Sequence, residues 1–316
     1  MRLSTTLASV LHRRKRPRVR NSGSIVVMVL MVLTSFPDTS HGSDPFSNQK
    51  AESEVGWPEA FGYSHGDSHP IEIGEFGYPY ISVTIGEGST MLPFDTGNMV
   101  GISVSSALFD RLELATVDTY DRLDSKGEII ATLRVGQPQH VAVLGLDIGS
   151  QRIYEFDHPS LPGLVGPEFL KDVRFTLDYE SRRMAISNTP LPDSVHGHRG
   201  VPLVRSSRHP TLILVKGSVN GREILLELDT GKSRSVIHPG LAAELELKRS
   251  SGGFRIDDLR VGDLSFNVPD AKPVDQTAID PGLTEPIQAG IGSDLLSKFV
   301  WTVDYAAGIL WIPVSR

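Results

Sequence analysis

Two aspartates, Asp95 and Asp229, each open an Asp-Thr-Gly triplet at the end of an apolar run. Two carboxyl groups held side by side cannot both ionise, so they share a proton: the ionised member can act as a base toward water while the protonated member polarises a carbonyl. Such a pair needs neither a metal nor a covalent intermediate. The other chemistry-bearing residues point to weaker alternatives. The 316-residue chain has no cysteine, which removes disulfides, thiolate nucleophiles and sulfur-bound zinc. His65, Asp67 and His69 could ligate a metal, but that spacing shares a face only on a helix, which Gly66 and Pro70 oppose. A solvated, turn-rich tether is the expected reading there. Asp229-Thr230-Gly231-Lys232-Ser233 looks in part like a phosphate-binding loop, yet such a loop needs glycine five residues before Gly231, where Leu226 stands. No cofactor and no metal is therefore expected.

The elements that must position the two aspartates occur twice. Tyr80–Ile85 and Ser89–Phe94 flank a turn at Gly86; Thr211–Val219 and Arg222–Leu228 flank a turn at Asn220-Gly221. Each turn falls nine residues before its aspartate, and Asn-Gly is the strong signal for a two-residue hairpin. Downstream, short helical segments end in Leu112-Glu113-Leu114 and Leu245-Glu246-Leu247. The ends of the halves then align without gaps, Val165-Gly166 through Asp178-Tyr179 against Ile291-Gly292 through Asp304-Tyr305. Each reads as an apolar-Gly strand end, a helical turn or two, and a closing strand. One Asp-Thr-Gly arises by chance in roughly one chain in fifteen of this length, so a single triplet decides little, whereas two with matched surroundings carry weight. Internal duplication is the organising feature.

These two triplets, each preceded by an apolar residue (Phe94, Leu228) and followed by an apolar-apolar-Gly element (Leu164-Val165-Gly166, Gly290-Ile291-Gly292), resemble the aspartic proteases. The short lobes are similar to the retropepsin-like branch, in its bacterial form, and both half-sites in one chain are similar to pepsin. The resemblance covers about residues 78–316. It implies an all-β fold of two pseudo-twofold-related lobes of the closed β-barrel type, each with one short helix or two. The expected divisions are a signal peptide or N-terminal anchor over 1–42 and a linker over 43–77. An N-terminal lobe over 78–190, an inter-lobe linker over 191–204 and a C-terminal lobe over 205–316 follow. It further implies that Asp95 and Asp229 are the catalytic pair, that Thr96 and Thr230 bond the opposite lobe's backbone, and that Gly97 and Gly231 let amides approach the carboxylates. The implied activity is that of an aspartic endopeptidase acting as a monomer on a peptide or protein substrate. The alternative is a catalytically inactive peptide-binding protein with the same fold. Asp178 and Asp304, a second symmetric pair, are expected to cap the closing strands. Flap candidates follow each triplet, Leu123–Ile129 in one lobe and Arg249–Phe254 in the other. The chain departs from the family pattern where Asn98 and Lys232 replace the usual small residue after the triplet, and an ammonium there favours ionisation of the pair. No residue clearly stands in for the pepsin flap tyrosine; Tyr120 falls slightly early.

Charge and patterning set the rest. The net charge is −7, but residues 1–22 hold seven basic residues and no acid, leaving 24 basic against 38 acidic residues in the remainder. So acidic a body is poorly suited to nucleic acid. The basic leader runs into the apolar stretch Ser24–Phe36 and then small polar residues, the pattern of a signal peptide with Ser40 and Gly42 before the cut, or of an uncleaved membrane anchor. Either reading implies export to the periplasm or beyond. Arg13-Arg14 matches a twin-arginine signal only weakly.

Overall fold

A computed structural model describes residues 57–123, 128–158, 160–189, 191 and 194–314. The expected signal peptide or anchor over 1–42 lies outside the described residues. Among the described residues no helix is long and apolar enough to cross a membrane.

The fold is all-β, with strands gathered into two lobes and one sheet common to both. Each lobe starts from the expected hairpin. Pro79–Ile85 pairs with Gly88–Pro93, burying Ile81, Val83 and Ile85 on one face. Leu214–Val219 pairs with Arg222–Leu228 through Asn220 and Gly221, whose φ angles of 48° and 82° are those a type I′ turn demands. The lobes also repeat a short helix, Ser106–Arg111 and Pro239–Glu244, N-capped by the side chains of Ser105 and His238. Both helices finish with a glutamate in the left-handed region, Glu113 at 51° and Glu246 at 50°.

The second lobe closes into a six-stranded barrel. Its order is Leu214–Val219, Arg222–Leu228, Ile287–Ile291, Val236–Ile237, Leu264–Pro273 and Phe254–Val261. The first lobe is built as two sheets joined by a parallel bridge between Phe94 and Val165. It differs because Thr116–Leu123 and Ile129–Gly136 form a long hairpin. In the second lobe the corresponding stretch is a single bridge, Arg249 to Phe254.

A six-stranded sheet joins the lobes, in the order Ser68–Pro70, Arg183–Ser187, Arg174–Asp178, Trp301–Asp304, Ile309–Pro313 and His198–Pro202. Its central pair sets Thr176 against Thr302, whose hydroxyls lie 2.5 Å apart on the pseudo-twofold. Asp178 and Asp304 cap the turns that follow, accepting from the Ser181 and Ala307 amides at 3.0 and 2.8 Å. Its two edge strands correct the expected divisions. The linker drawn over 43–77 is built structure from residue 57 onward: a helical turn at Trp57–Ala60, then Ser68–Pro70 on the shared sheet and Glu72–Ile73 on the first lobe. The linker drawn over 191–204 contains the opposite edge, His198–Pro202. Low periodicity concealed both because each edge strand pairs along one side only. What holds the first in place is burial. Phe61 and Tyr63 pack with Ala185, Val195 and Trp311, and burying Phe61 contributes roughly 2–3 kcal/mol. Arg174, itself buried, donates to the Phe61 carbonyl at 2.6 Å and lies over the Tyr63 ring.

Candidate active site

Each aspartate sits where a strand leaves its hairpin and meets the apolar-apolar-Gly element running parallel beside it. The Asp95 amide donates to the Val165 carbonyl and the Asp229 amide to that of Ile291, both at 2.9 Å. Gly166 and Gly292 must lack side chains there, since a Cβ on Gly166 would strike the Asn98 carbonyl and one on Gly292 the backbone of Lys232 and Arg234, in each case the aspartate loop of the same lobe.

The two loops are locked by reciprocal threonine bonds. Thr96 donates its hydroxyl to the Leu228 carbonyl at 2.9 Å, and Thr230 donates its hydroxyl to the Phe94 carbonyl at 2.6 Å. Each hydroxyl also accepts from the other threonine's amide, at 3.0 and 3.1 Å. All four partners are buried, so the loops cannot separate without stranding polar groups. Ser293 adds a bond to the Thr230 carbonyl at 3.0 Å, and Tyr179 from the first lobe reaches the Ser293 hydroxyl.

This lock brings Asp95 and Asp229 into hydrogen-bonding contact. Asp95 accepts from the Gly97 amide and Asp229 from the Gly231 amide, each at 2.8 Å. A Cβ at Gly97 would collide with the Asp229 carboxyl, and one at Gly231 with that of Asp95. Asp229 is buried, while Asp95, Gly97 and Gly231 keep part of their surface accessible, so solvent reaches the pair.

The electrostatics are not symmetric. Lys232, buried, bridges the Asp229 Oδ2 and the Glu227 Oε2, the latter at 2.6 Å. Gln276 donates to the same Glu227 oxygen. Burial pushes the Asp95 carboxyl well above the usual carboxylate range, and the neighbouring Asp229 charge pushes it further. Burial acts on Asp229 in the same direction, but the Lys232 ammonium outweighs it and holds Asp229 below its usual value. Burial raises Glu227, and burial opposes the charge on Lys232 but is overcome by its two carboxylates. The counterparts in the first lobe are uncharged: Pro93 precedes Asp95 by two residues, and Asn98 spends its amide on its own loop, donating to Gly101 and accepting from Val100.

All six residues singled out from the sequence, Asp95, Thr96, Gly97, Asp229, Thr230 and Gly231, meet at this point. Glu227 and Tyr78 also belong to the site and were not anticipated. Glu227 did leave a signal, being the lone charge within the buried run Ile224–Leu228 and five residues from a lysine. Tyr78, buried at the start of the first hairpin, bonds Ser233 across the lobes, and its phenol is raised by burial and then by the two aspartates. Tyr120 does not reach the pair; it donates to the Glu155 carbonyl at 2.6 Å. The tip of the first flap candidate, residues 124–127, lies outside the described residues. The second, Arg249–Phe254, is no free hairpin: the Ser250 hydroxyl and the Gly252 amide donate to Asp270, and Lys272 donates to the Gly252 carbonyl. The tether histidines are not joined to the site, and among the described residues no cluster of three or more potential metal ligands occurs.

One further acidic residue stands at the lobe junction. Glu168, in the helical turn Pro167–Leu170 after Gly166, meets Thr211 of the second lobe, and among the described residues its Oε2 has no hydrogen-bond partner within normal geometry. Burial raises its carboxyl to about 7.

No protein-family model matches the chain, and no curated protein is detectably similar to it.

Proposed function

We propose that the chain is an aspartic endopeptidase of the retropepsin-like and pepsin-like kind, with Asp95 and Asp229 as its catalytic pair. The observation that carries this reading is the contact between two carboxyl groups delivered by twofold-related loops, each anchored by a glycine amide and locked by threonines from the opposite loop. A water bound between the carboxyls loses a proton to the ionised member as its oxygen attacks the peptide carbonyl carbon. The protonated member gives its proton to the carbonyl oxygen. The tetrahedral species collapses when the C–N bond breaks and the leaving nitrogen takes the proton from the member that accepted it. A hydroxyl on the tetrahedral carbon returns its proton to the other member, and an acid and an amine leave with the pair singly protonated again. An extended peptide lying across the two loops fits this scheme. The basic leader and apolar stretch support export, and both half-sites in one chain support action as a monomer.

The rival reading, a non-catalytic peptide-binding protein, draws on the Lys232 contact with an oxygen of Asp229. Cleavage of a diverse peptide mixture by the full chain from pH 3 to 8 separates the two. Asp95→Asn and Asp229→Asn should each abolish cleavage while unfolding at nearly the wild-type temperature. Cleavage equal to wild type in either variant would remove the pair from the mechanism.

A further inference from the structure

Lys232 and Glu227 have no equivalent beside Asp95, although the threonine lock and the glycine-amide bond to the aspartate are repeated in both loops. The offset is in the sequence: Glu227 and Lys232 lie two before and three after Asp229, and Pro93 and Asn98 hold the same places around Asp95. In the fold these offsets place Lys232 against the Asp229 carboxyl and Glu227 against Lys232. The Lys232 ammonium reaches the Asp229 Oδ2 while the Gly231 amide holds Oδ1, so both oxygens of Asp229 have donors. Asp95 has only the Gly97 amide and its contact with Asp229.

We propose that Lys232, clamped by Glu227, is a positioning residue that makes the two carboxyls permanently unequal, so that Asp229 is the proton acceptor and Asp95 the proton donor at the start of every turnover. The proposal rests on the aspartic-pair reading given above. In a buried site a cation in contact with one of two competing carboxyls decides which one ionises, because the Coulomb interaction is little screened. Glu227 holds the cation there. Its buried carboxylate accepts from the ammonium at 2.6 Å, and the Gln276 amide fixes the same oxygen.

The other titratable groups facing the pair do not supply a competing charge. Tyr78 approaches from the first hairpin and Tyr179 from the shared sheet, and burial keeps both phenols neutral. Glu227, whose charge acts on Asp229, is already engaged by Lys232. A swap of roles between the two aspartates, open to a symmetric pair, is closed here. The cation should also keep the pair singly ionised to lower pH, extending activity on the acid side.

Lys232→Met tests this. Its acid limb of kcat/KM should move up by at least one pH unit, a loss of tenfold or more on that limb, while Lys232→Arg retains the wild-type limb. Because Lys232→Met leaves Glu227 buried without a partner, the double variant Glu227→Gln/Lys232→Met, which removes both charges, serves where the single variant does not fold. A second readout needs no turnover. Carbon-13 carboxyl NMR of the full chain, with the pair assigned by Asp95→Asn and Asp229→Asn, should show Asp229 ionised well below Asp95 in wild type. In the double variant that order should be lost. If wild type cleaves nothing but the two titrations stay apart and converge in the variant, the protease reading falls and the role of Lys232 stands. If neither the limb nor the titration order changes, the role of Lys232 is overturned.

Discussion

Replacing Glu168 with glutamine should stabilise the protein above neutral pH and leave it nearly unchanged in acid. The carboxyl ionises near 4.5 when exposed and at about 7 in the folded chain, because burial at the lobe junction favours its neutral form. The sign follows from that order. Below 4.5 the group is protonated in both states and no stability is lost. Between 4.5 and about 7 the unfolded chain ionises first, so folding weakens as pH rises, and beyond 7 the loss is constant. A displacement of that size corresponds to up to about 3 kcal/mol. An amide of the same shape can still bond Thr211 and cannot ionise, so Glu168→Gln recovers this loss. For a chain of this length that is about 6–12 °C in melting temperature. Thermal or urea unfolding of both proteins at pH 4, 5, 6, 7 and 8 reads the difference directly. A gap that does not depend on pH, or a variant less stable than wild type at pH 8, would refute the assignment.

Other outcomes follow from the same geometry. Thr230→Val strands the buried Phe94 carbonyl and Thr96 amide, and urea unfolding should register a loss of about 2–5 kcal/mol; a loss under about 1 kcal/mol would mean the lock is redundant. Gly231→Ala drives a methyl group into the Asp95 carboxyl, so peptide cleavage should vanish while circular dichroism keeps a β spectrum. Deleting residues 1–63 removes Phe61 and Tyr63 and uncovers Arg174, and the truncated chain should melt at least 10 °C lower or fail to stay in solution, on the scale expected for losing two buried aromatics.

Much of this architecture was legible because it was written twice. Asn220-Gly221 announces its turn through two positive φ angles, and the matched Gly166 and Gly292 mark where one backbone must pass close to another. The Asp-Thr-Gly offsets located the six residues that meet at the junction. What stayed hidden shared no sequence pattern between the halves. Ser68–Pro70 and His198–Pro202 are short edge strands whose residues alternate poorly, because only one side of each is paired. The long hairpin of the first lobe and its fastened counterpart at Arg249–Phe254 share no pattern, and a hairpin's direction depends on contacts with Asp270 that lie sixteen or more residues away. Lys232 was visible as a charge beside the triplet, but its partner Glu227 is identified only once the strand is known to be buried.

The sheet that joins the lobes has a consequence for direction. In an assembly of two identical chains, any group placed beside one half of a shared site is repeated beside the other, and a strand-like ligand can enter in either sense. Here both halves belong to one sequence and meet through the antiparallel pair Arg174–Asp178 and Trp301–Asp304, so the two sides are free to differ. They do: one side carries the lysine and glutamate, the other the long hairpin. A site with two unlike sides has a front and a back, and a strand-like ligand would meet different groups according to the sense in which it entered.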